Sequence, residues 1–95
     1  MQQQFFAIGV ITNTHNLKGE VRFLPHYPEF PIKKLTKLYI DHYGQYMILE
    51  IERARPHKKF WLLKFKNYER IDDVIKFKGS AALVGTPGAG SAVFS

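Results

Sequence analysis

Apolar and polar residues alternate along most of the chain, in short runs that polar residues, glycine or proline interrupt. Alternation with a period of two is typical of strands that bury one face. The pattern predicts six strands, at residues 5–11, 21–23, 35–42, 46–55, 60–66 and 80–84.

The same alternation predicts which side chains face the core. Glu20 and Arg22 are predicted to point outward from the second strand, and Lys64 and Lys66 towards solvent from the fifth. Gly9, inside the first strand, indicates a bulge or a close approach of another backbone. The residues predicted to face inward include Val21, Phe23, Leu38, Ile40, Met47, Leu49, Ile51, Trp61, Leu63 and Phe65.

One short helix is predicted over residues 70–78, where apolar residues fall at helical spacing. Asn67 or Glu69 is the candidate for the residue that caps its start, and Gly79 stands where a left-handed C-terminal cap belongs. A helix of this length is not stable alone. We therefore expect it to plug or cover a sheet.

Six short strands and one short helix, joined by polar or glycine- and proline-containing turns, predict an all-β fold, either an antiparallel barrel or a sandwich. A closed barrel would also remove the exposed edges that such aromatic strands offer for aggregation. The strands at residues 46–55 and 60–66, with the short loop between them, are a candidate hairpin.

Composition narrows the class of protein. The 95 residues include no cysteine and carry a formal net charge of +6. The absence of cysteine excludes disulfides and thiolate metal sites, and it suits a reducing cytoplasm. No apolar run reaches the roughly 18 residues of a membrane span, and M-Q-Q-Q-F-F does not form a secretory signal. The basic charge favours acidic partners, nucleic acid first, although solubility alone would also account for it.

The last residues differ from the rest in composition. Residues 85–95, G-T-P-G-A-G-S-A-V-F-S, carry no charge and no periodicity. Such a segment is typical of a flexible tail. We expect a domain at residues 1–84, followed by a linker whose partner domain is missing or by a cloning remnant.

The polar segment between the first two strands holds the least ordinary residues. Leu17 lies there with no obvious core to enter. Binding residues tend to lie on loops that a rigid scaffold holds, so this loop is either a recognition edge or simply a long turn. Its other unusual members are Asn13, His15, Asn16, Lys18 and Gly19.

A second basic loop follows the fourth strand, and both loops could end on one side of a small barrel. Together they would form a positive rim with Leu17 and Phe60 as apolar contacts, the combination that RNA-binding barrels use. The alternative is that lysine and arginine at strand ends serve only solubility. The basic residues are His15, Lys18 and Arg22 in the first loop and Arg53, Arg55, His57, Lys58 and Lys59 in the second.

No set of catalytic residues is recognisable. The chain lacks nucleophile-elbow, phosphate-loop, zinc-protease and kinase motifs. Asp72 and Asp73 are adjacent on the predicted helix and point about 100° apart, so they favour the helix dipole rather than forming a carboxylate pair. The four histidines have no metal-ligand spacing. We therefore expect neither an enzyme nor a metal or other cofactor.

Several segments, in order, are similar to one protein family. N-T-H-N-L-K-G-E-V-R-F resembles the H-G-L-K-G-E-V-R segment near the start of ribosome maturation factor RimM, the 16S rRNA processing protein. I-G-V-I upstream resembles the opening strand of that family, and L-Y-I downstream its "L-Y" strand. R-P-H-K followed by F-W-L-L-K-F resembles its R-x-H-K hairpin, and residues 70–79 its last helix. The resemblance covers about residues 5–84.

Two departures from the family pattern stand out. Asn16 replaces the usual glycine, and asparagine tolerates positive φ better than most residues. The family also has a second, C-terminal barrel domain of the PRC type. No counterpart of that domain is present in this sequence, which is therefore expected to correspond to the N-terminal half alone.

The resemblance implies a six-stranded antiparallel β-barrel akin to that of translation factors. It implies a cytoplasmic, monomeric assembly factor that binds the small (30S) ribosomal subunit, contacts ribosomal protein uS19 in its head and supports 16S rRNA maturation without cutting RNA. A generic RNA-binding barrel is the alternative. Gly19 would serve the turn, and the partner-binding residues implied are His15, Leu17, Lys18, Arg22, Arg55, His57 and Lys58.

Overall fold

The computed structural model describes residues 4–86, which form a closed antiparallel barrel. Its six strands confirm the predicted fold. They follow one another around the barrel in the order β1-β2-β5-β4-β3-β6. In chain order the strands are β1 (Gln4–Thr14), β2 (Val21–Pro25), β3 (Lys37–His42), β4 (Gln45–His57), β5 (Phe60–Phe65) and β6 (Ala81–Thr86).

Pairing between β1 and β6 closes the barrel. The paired residues run from Gln4 with Thr86 to Val10 with Ala81. Strand β6 thus extends two residues beyond the expected end of the domain. The rest of the predicted tail, residues 87–95, lies outside the described residues.

The inner face agrees with the alternation of the sequence. Large apolar side chains from every strand fill the barrel, which is how a small closed barrel excludes water. Trp61, Met47 and Ile51 are partly buried against this core. Its fully buried members include Ile8, Ile11, Val21, Phe23, Leu38, Ile40, Leu49, Leu63 and Phe65.

Gly9 allows two strands to approach closely, as predicted. The register between β1 and β6 shifts between Ala7 and Gly9. A Cβ atom on Gly9 would lie 2.5 Å from the carbonyl oxygen of Leu24 and from the ring of Phe23. Any side chain here would therefore separate β1 from β2.

The predicted helix is shorter than expected. Its α-helical part, α1, covers Ile71–Val74, and a 3-10 turn continues over Ile75–Phe77. Val74 and Phe77 are fully buried in the core, so the segment plugs the barrel as expected. Gly79 has φ +83°, in the left-handed region predicted for it.

Neither predicted cap begins this helix. The backbone of Arg70 lies at its start and donates a hydrogen bond to the Asp73 carboxylate (3.3 Å). Asn67 has φ +71° and forms the turn after β5, while Glu69 pairs with Lys64. The acceptor that caps the helix, the Asp73 carboxylate, is therefore a side chain of the helix itself.

Two charged side chains predicted to point into solvent are buried. Glu20 is 5% exposed and Lys64 is 3% exposed. The Lys64 ammonium lies 3.3 Å from Glu52 and 3.2 Å from Glu69, and it donates to the Phe65 carbonyl oxygen at 2.9 Å. The predicted face was correct, but neighbouring segments cover it.

Within residues 4–86, no helix has the length and apolar character that a membrane span requires.

Candidate functional site

The first loop, residues 15–20, joins β1 to β2 and is shaped by its own side chains. The His15 amide donates to the Glu20 carbonyl oxygen at 2.8 Å, which closes the loop. The Asn16 side-chain oxygen accepts from the amides of Lys18 (3.0 Å) and Glu20 (3.3 Å). Asn16 does not have positive φ. Asn16 organises the loop through its side chain.

Gly19 holds this loop against the chain that precedes α1. Its φ is +94°, a region that residues with a Cβ atom rarely adopt. A Cβ atom there would lie 2.5 Å from the Tyr68 carbonyl oxygen. A backbone hydrogen bond also holds the loop in place, because the Ile71 amide donates to the Leu17 carbonyl oxygen at 3.0 Å.

Glu20 connects the first loop to the β4–β5 hairpin. Its carboxylate accepts from the Asn16 side-chain amide at 2.8 Å and from the Arg55 guanidinium at 3.2 Å. Burial alone would raise the pKa of Glu20. The hydrogen bonds from Arg55 and Asn16, with the positive charges of Arg55 and Arg53, outweigh it and hold that pKa below its ordinary value of 4.5.

Sequence reasoning missed this role of Glu20. It assigned the carboxylate to solvent because alternation reports only the face of a strand. The available signal was that Glu20 is the one acid in a motif otherwise rich in basic residues.

His15 and His57 bring the two basic loops into contact. Their rings lie 5.5 Å apart between centroids. The Arg22 Nε–H donates to His15 Nδ1 at 3.4 Å, an arrangement that requires Nδ1 to be unprotonated. The Arg22 guanidinium also lies over the Phe60 ring, 5.9 Å from its centroid.

A buried leucine lies beneath these charged groups. Leu62 is 1% exposed, although Trp61 and Leu63 on either side of it face the barrel interior. In the sheet, Leu62 lies between Arg22 of β2 and Arg55 of β4. The stems of long basic side chains can cover apolar surface while their charged ends stay in water, which accounts for the burial of Leu62 on the outer face of the sheet.

The tips of the two loops carry predicted residues that are exposed to solvent. Leu17 is 76% exposed, and Lys18 beside it is exposed as well. Lys58 and Lys59 form the turn between His57 and Phe60. Lys58 has φ +59°, an uncommon conformation for a residue with a long side chain.

The structure therefore brings the predicted residues onto one surface, which we call the loop–hairpin surface. His15, Arg22, Arg55 and His57 form its connected part, with Leu17 and Lys18 at one tip and Lys58 at the other. Arg53 lies at its edge, 3.9 Å from Glu52. The surface offers guanidinium, ammonium and imidazole groups and an aromatic ring, which suit binding to phosphate or carboxylate groups.

A metal site is not formed by these residues. Within residues 4–86, no three histidine or acidic side chains are grouped so that they could hold a metal ion. The His15 and His57 rings are neighbours, tilted by 58° to each other, but the Nδ1 of His15 already accepts a hydrogen bond from Arg22.

Comparison with known families identifies one match over nearly all of the described chain. A family model described as the RimM N-terminal domain matches residues 6–85. The ribosome maturation factor RimM of Exiguobacterium sp. (strain ATCC BAA-1283 / AT1b) is 42% identical over 74 residues, which are 76% of this chain and 43% of that protein. The RimM of Geobacillus kaustophilus is 39% identical over 82 residues, 82% of this chain and 47% of that protein.

Two solved structures share the fold. A 16S ribosomal RNA processing protein RimM from Pseudomonas aeruginosa superposes with a TM-score of 0.78 at 21% identity, covering 85% of this chain and 50% of the other. The N-terminal domain of RimM from Thermus thermophilus gives a TM-score of 0.69 at 17% identity, covering 85% of this chain and 88% of the other. The chain spans about half the length of the curated relatives it matches.

Proposed function

This chain belongs to the RimM family, because it matches the N-terminal domain of that family, and on that premise we propose that it is a ribosome assembly factor domain. In this proposal it binds the small (30S) ribosomal subunit in the cytoplasm and supports 16S rRNA processing and maturation. The family name describes a maturation factor, so the proposed role is binding and not catalysis.

We propose that the loop–hairpin surface makes this contact. The observation that carries the proposal is the bond between Arg55 and Glu20, 3.2 Å long, which joins the hairpin to the first loop across 35 residues of sequence. Preorganised side chains lose less conformational entropy on binding. Leu17 and Lys18 are the contact residues proposed at the exposed tip.

The finer proposal is that this surface contacts ribosomal protein uS19 in the head of the subunit, with 16S rRNA as a further partner, and that the chain acts as a monomer. Assembly would be assisted by differential binding. The domain would bind an immature conformation of the head more tightly than the mature one, because a ligand shifts an equilibrium only by its difference in affinity for the two states.

Cosedimentation with purified small subunits tests the proposal. The double variant His15→Ala, Lys18→Glu removes one ring and reverses one charge on the loop–hairpin surface. We expect at least about tenfold weaker binding, since two lost contacts of about 1 kcal/mol each exceed that factor. Purified uS19 is tested in parallel.

A matched control uses the same residue types elsewhere. His26→Ala with Lys33→Glu makes the same chemical changes at two exposed positions outside the surface. It should bind as the wild type does. Equal binding by both double variants, with unchanged circular dichroism, would mean that another surface holds the subunit.

The second candidate is a general RNA-binding barrel. The Arg22 guanidinium over the Phe60 ring, together with the net charge of +6, favours it. Binding dominated by phosphate contacts weakens steeply with salt and accepts any RNA. Affinity for unrelated RNA equal to that for the small subunit, with the same salt dependence, would support this candidate over the ribosomal one.

A further inference from the structure

Tyr43 forms part of a second surface that the loop–hairpin surface does not include. It lies at the tip of the β3–β4 hairpin and is 93% exposed. Its φ of +53° is followed by φ +84° at Gly44. Two-residue hairpins with both values positive strongly prefer asparagine, aspartate or glycine at the first position. A bulky aromatic residue here is uncommon, and such outliers cluster at functional sites.

The ring of Tyr43 is held in place although it faces solvent. His42 packs edge-on against it, with 4.6 Å between the ring centroids. His42 itself lies 6.3 Å from the buried ring of Phe77. The Asp41 carboxylate accepts the Gly44 amide at 3.0 Å and so fixes the turn. The aromatic face is therefore presented from an ordered hairpin.

A cleft of about 340 Å³ adjoins this ring. Lys76 and Lys78, both exposed, line it together with Ser80. The Lys76 ammonium lies over the Phe77 ring, 5.5 Å from its centroid. Asp41 is the one carboxylate among the lining residues, so the two lysines leave the cleft positive.

We propose that this Tyr43 cleft binds a nucleotide of single-stranded RNA, with the base stacked on Tyr43 and its phosphates beside Lys76 and Lys78. An exposed ring flanked by cations is the combination with which proteins hold unpaired nucleic acid. A paired base offers no free face, so a duplex would not use the ring. Lys76, Lys78 and Asp41 surround this ring with charge that is positive on balance, which favours a phosphate-bearing partner.

The cleft and the loop–hairpin surface lie at different ends of β4, which starts at Gln45 beside Tyr43 and ends at His57. The inference rests on the proposed function, because assembly of a ribosomal subunit brings the chain to RNA. The two surfaces nevertheless share no residue. Variants in one therefore test it without altering the other.

Fluorescence anisotropy of the full chain with a labelled single-stranded oligoribonucleotide of about ten nucleotides, within the usual site sizes, tests the inference. Tyr43→Asn removes the ring and supplies a residue that prefers the left-handed turn, so the variant should melt no lower than the wild type. We expect about tenfold weaker binding, the loss typical of one stacked base. Tyr43→Trp should retain the affinity.

Controls separate the ring and the lysines from general effects. Tyr27→Asn removes another exposed tyrosine and should leave RNA affinity unchanged. Lys76→Ala with Lys78→Ala should reduce the slope of log affinity against log salt by about 1.4, as for two single-strand phosphate contacts. Lys33→Ala with Lys34→Ala, both exposed, should reduce it less.

Three results would overturn the inference. The first is a Tyr43→Asn variant that binds the single strand within twofold of the wild type. The second is equal affinity for a duplex of the same sequence. The third is a Tyr43→Asn variant that binds purified uS19 more weakly than the wild type does but binds RNA equally well, which would assign the cleft to a protein. Failure of the proposed function is a separate result, read from the His15 and Lys18 variants.

Discussion

At the scale of single residues, Gly19 constrains the first loop most strongly, since two independent conditions meet there. Its backbone has φ +94°, and its missing side chain leaves room for the Tyr68 carbonyl oxygen. Gly44 meets only the first condition, because nothing lies within 4 Å of the position its Cβ atom would take. Comparing substitutions at the two glycines therefore distinguishes the cost of backbone strain from the cost of steric overlap.

Gly19→Ala should destabilise the protein by about 3 kcal/mol, the sum of a left-handed backbone and an overpacked contact. Gly44→Ala should cost only about 1–2 kcal/mol, from the backbone alone. Urea unfolding followed by Trp61 fluorescence measures both. Equal losses would show that the chain before α1 moves aside to accommodate the methyl group.

At the scale of elements, the segment from α1 to the 3-10 turn demonstrates that burial can sustain a helix too short to be stable alone. The α-helical part has four residues, and isolated helices of that length do not persist in water. Val74 and Phe77 hold it, because both are fully buried at the end of the barrel. Ile75, between them, is 54% exposed.

Phe77→Ala should therefore destabilise the protein by about 3–5 kcal/mol, as large-to-small changes in a core do. Ile75→Ala changes the same short segment at an exposed position and should cost within about 0.5 kcal/mol. The two midpoints in urea give the comparison. Similar losses from both variants would mean that burial of the side chain does not decide the stability of this segment, because both changes raise helix propensity alike.

At the scale of the whole molecule, barrel closure makes neighbours of elements that are distant in sequence. Strand β2 pairs with β5 and not with β3, so the first loop meets the β4–β5 hairpin. Glu20 and Arg55 then bond across 35 residues. Because the pKa of Glu20 is lowered in the folded protein, this link stabilises the fold only while the carboxylate is charged.

The contribution of Glu20 should be complete above its ordinary pKa of 4.5 and lost as the pH falls through the lower folded value. Glu20→Gln should therefore be less stable than the wild type near neutral pH, and the difference should shrink in acid. Urea midpoints measured across this range test it. Glu29→Gln, an exposed control, should follow the wild-type curve. A gap that stays constant with pH would exclude the ionic link.

Much of the fold could be predicted from local pattern. The period-two alternation identified the six strands and inward residues such as Phe23, Ile40 and Leu63, because a strand places successive side chains on opposite faces. The left-handed position of Gly79 followed from local reasoning as well. The candidate binding residues were named from basic loops and from the resemblance of one motif.

The segments that pack on the outer face of the barrel could not be predicted from alternation. Alternation placed Glu20 and Lys64 on the outer face correctly, but their burial depends on the first loop and on the chain before α1. The predicted caps, Asn67 and Glu69, were wrong for a related reason. Glu69 pairs with Lys64, a residue of β5, and local sequence does not show that pairing.

The sequence by itself determined the strands and their inward faces, because these depend on neighbours within a few positions along the chain. The tertiary structure alone decided that β2 lies beside β5, and hence that Glu20 binds Arg55 and that His15 lies beside His57. It also joined Tyr43 to Lys76 and Lys78 in one cleft. These contacts depend on barrel closure, which brings together residues whose separation along the chain carries no information about their distance in space.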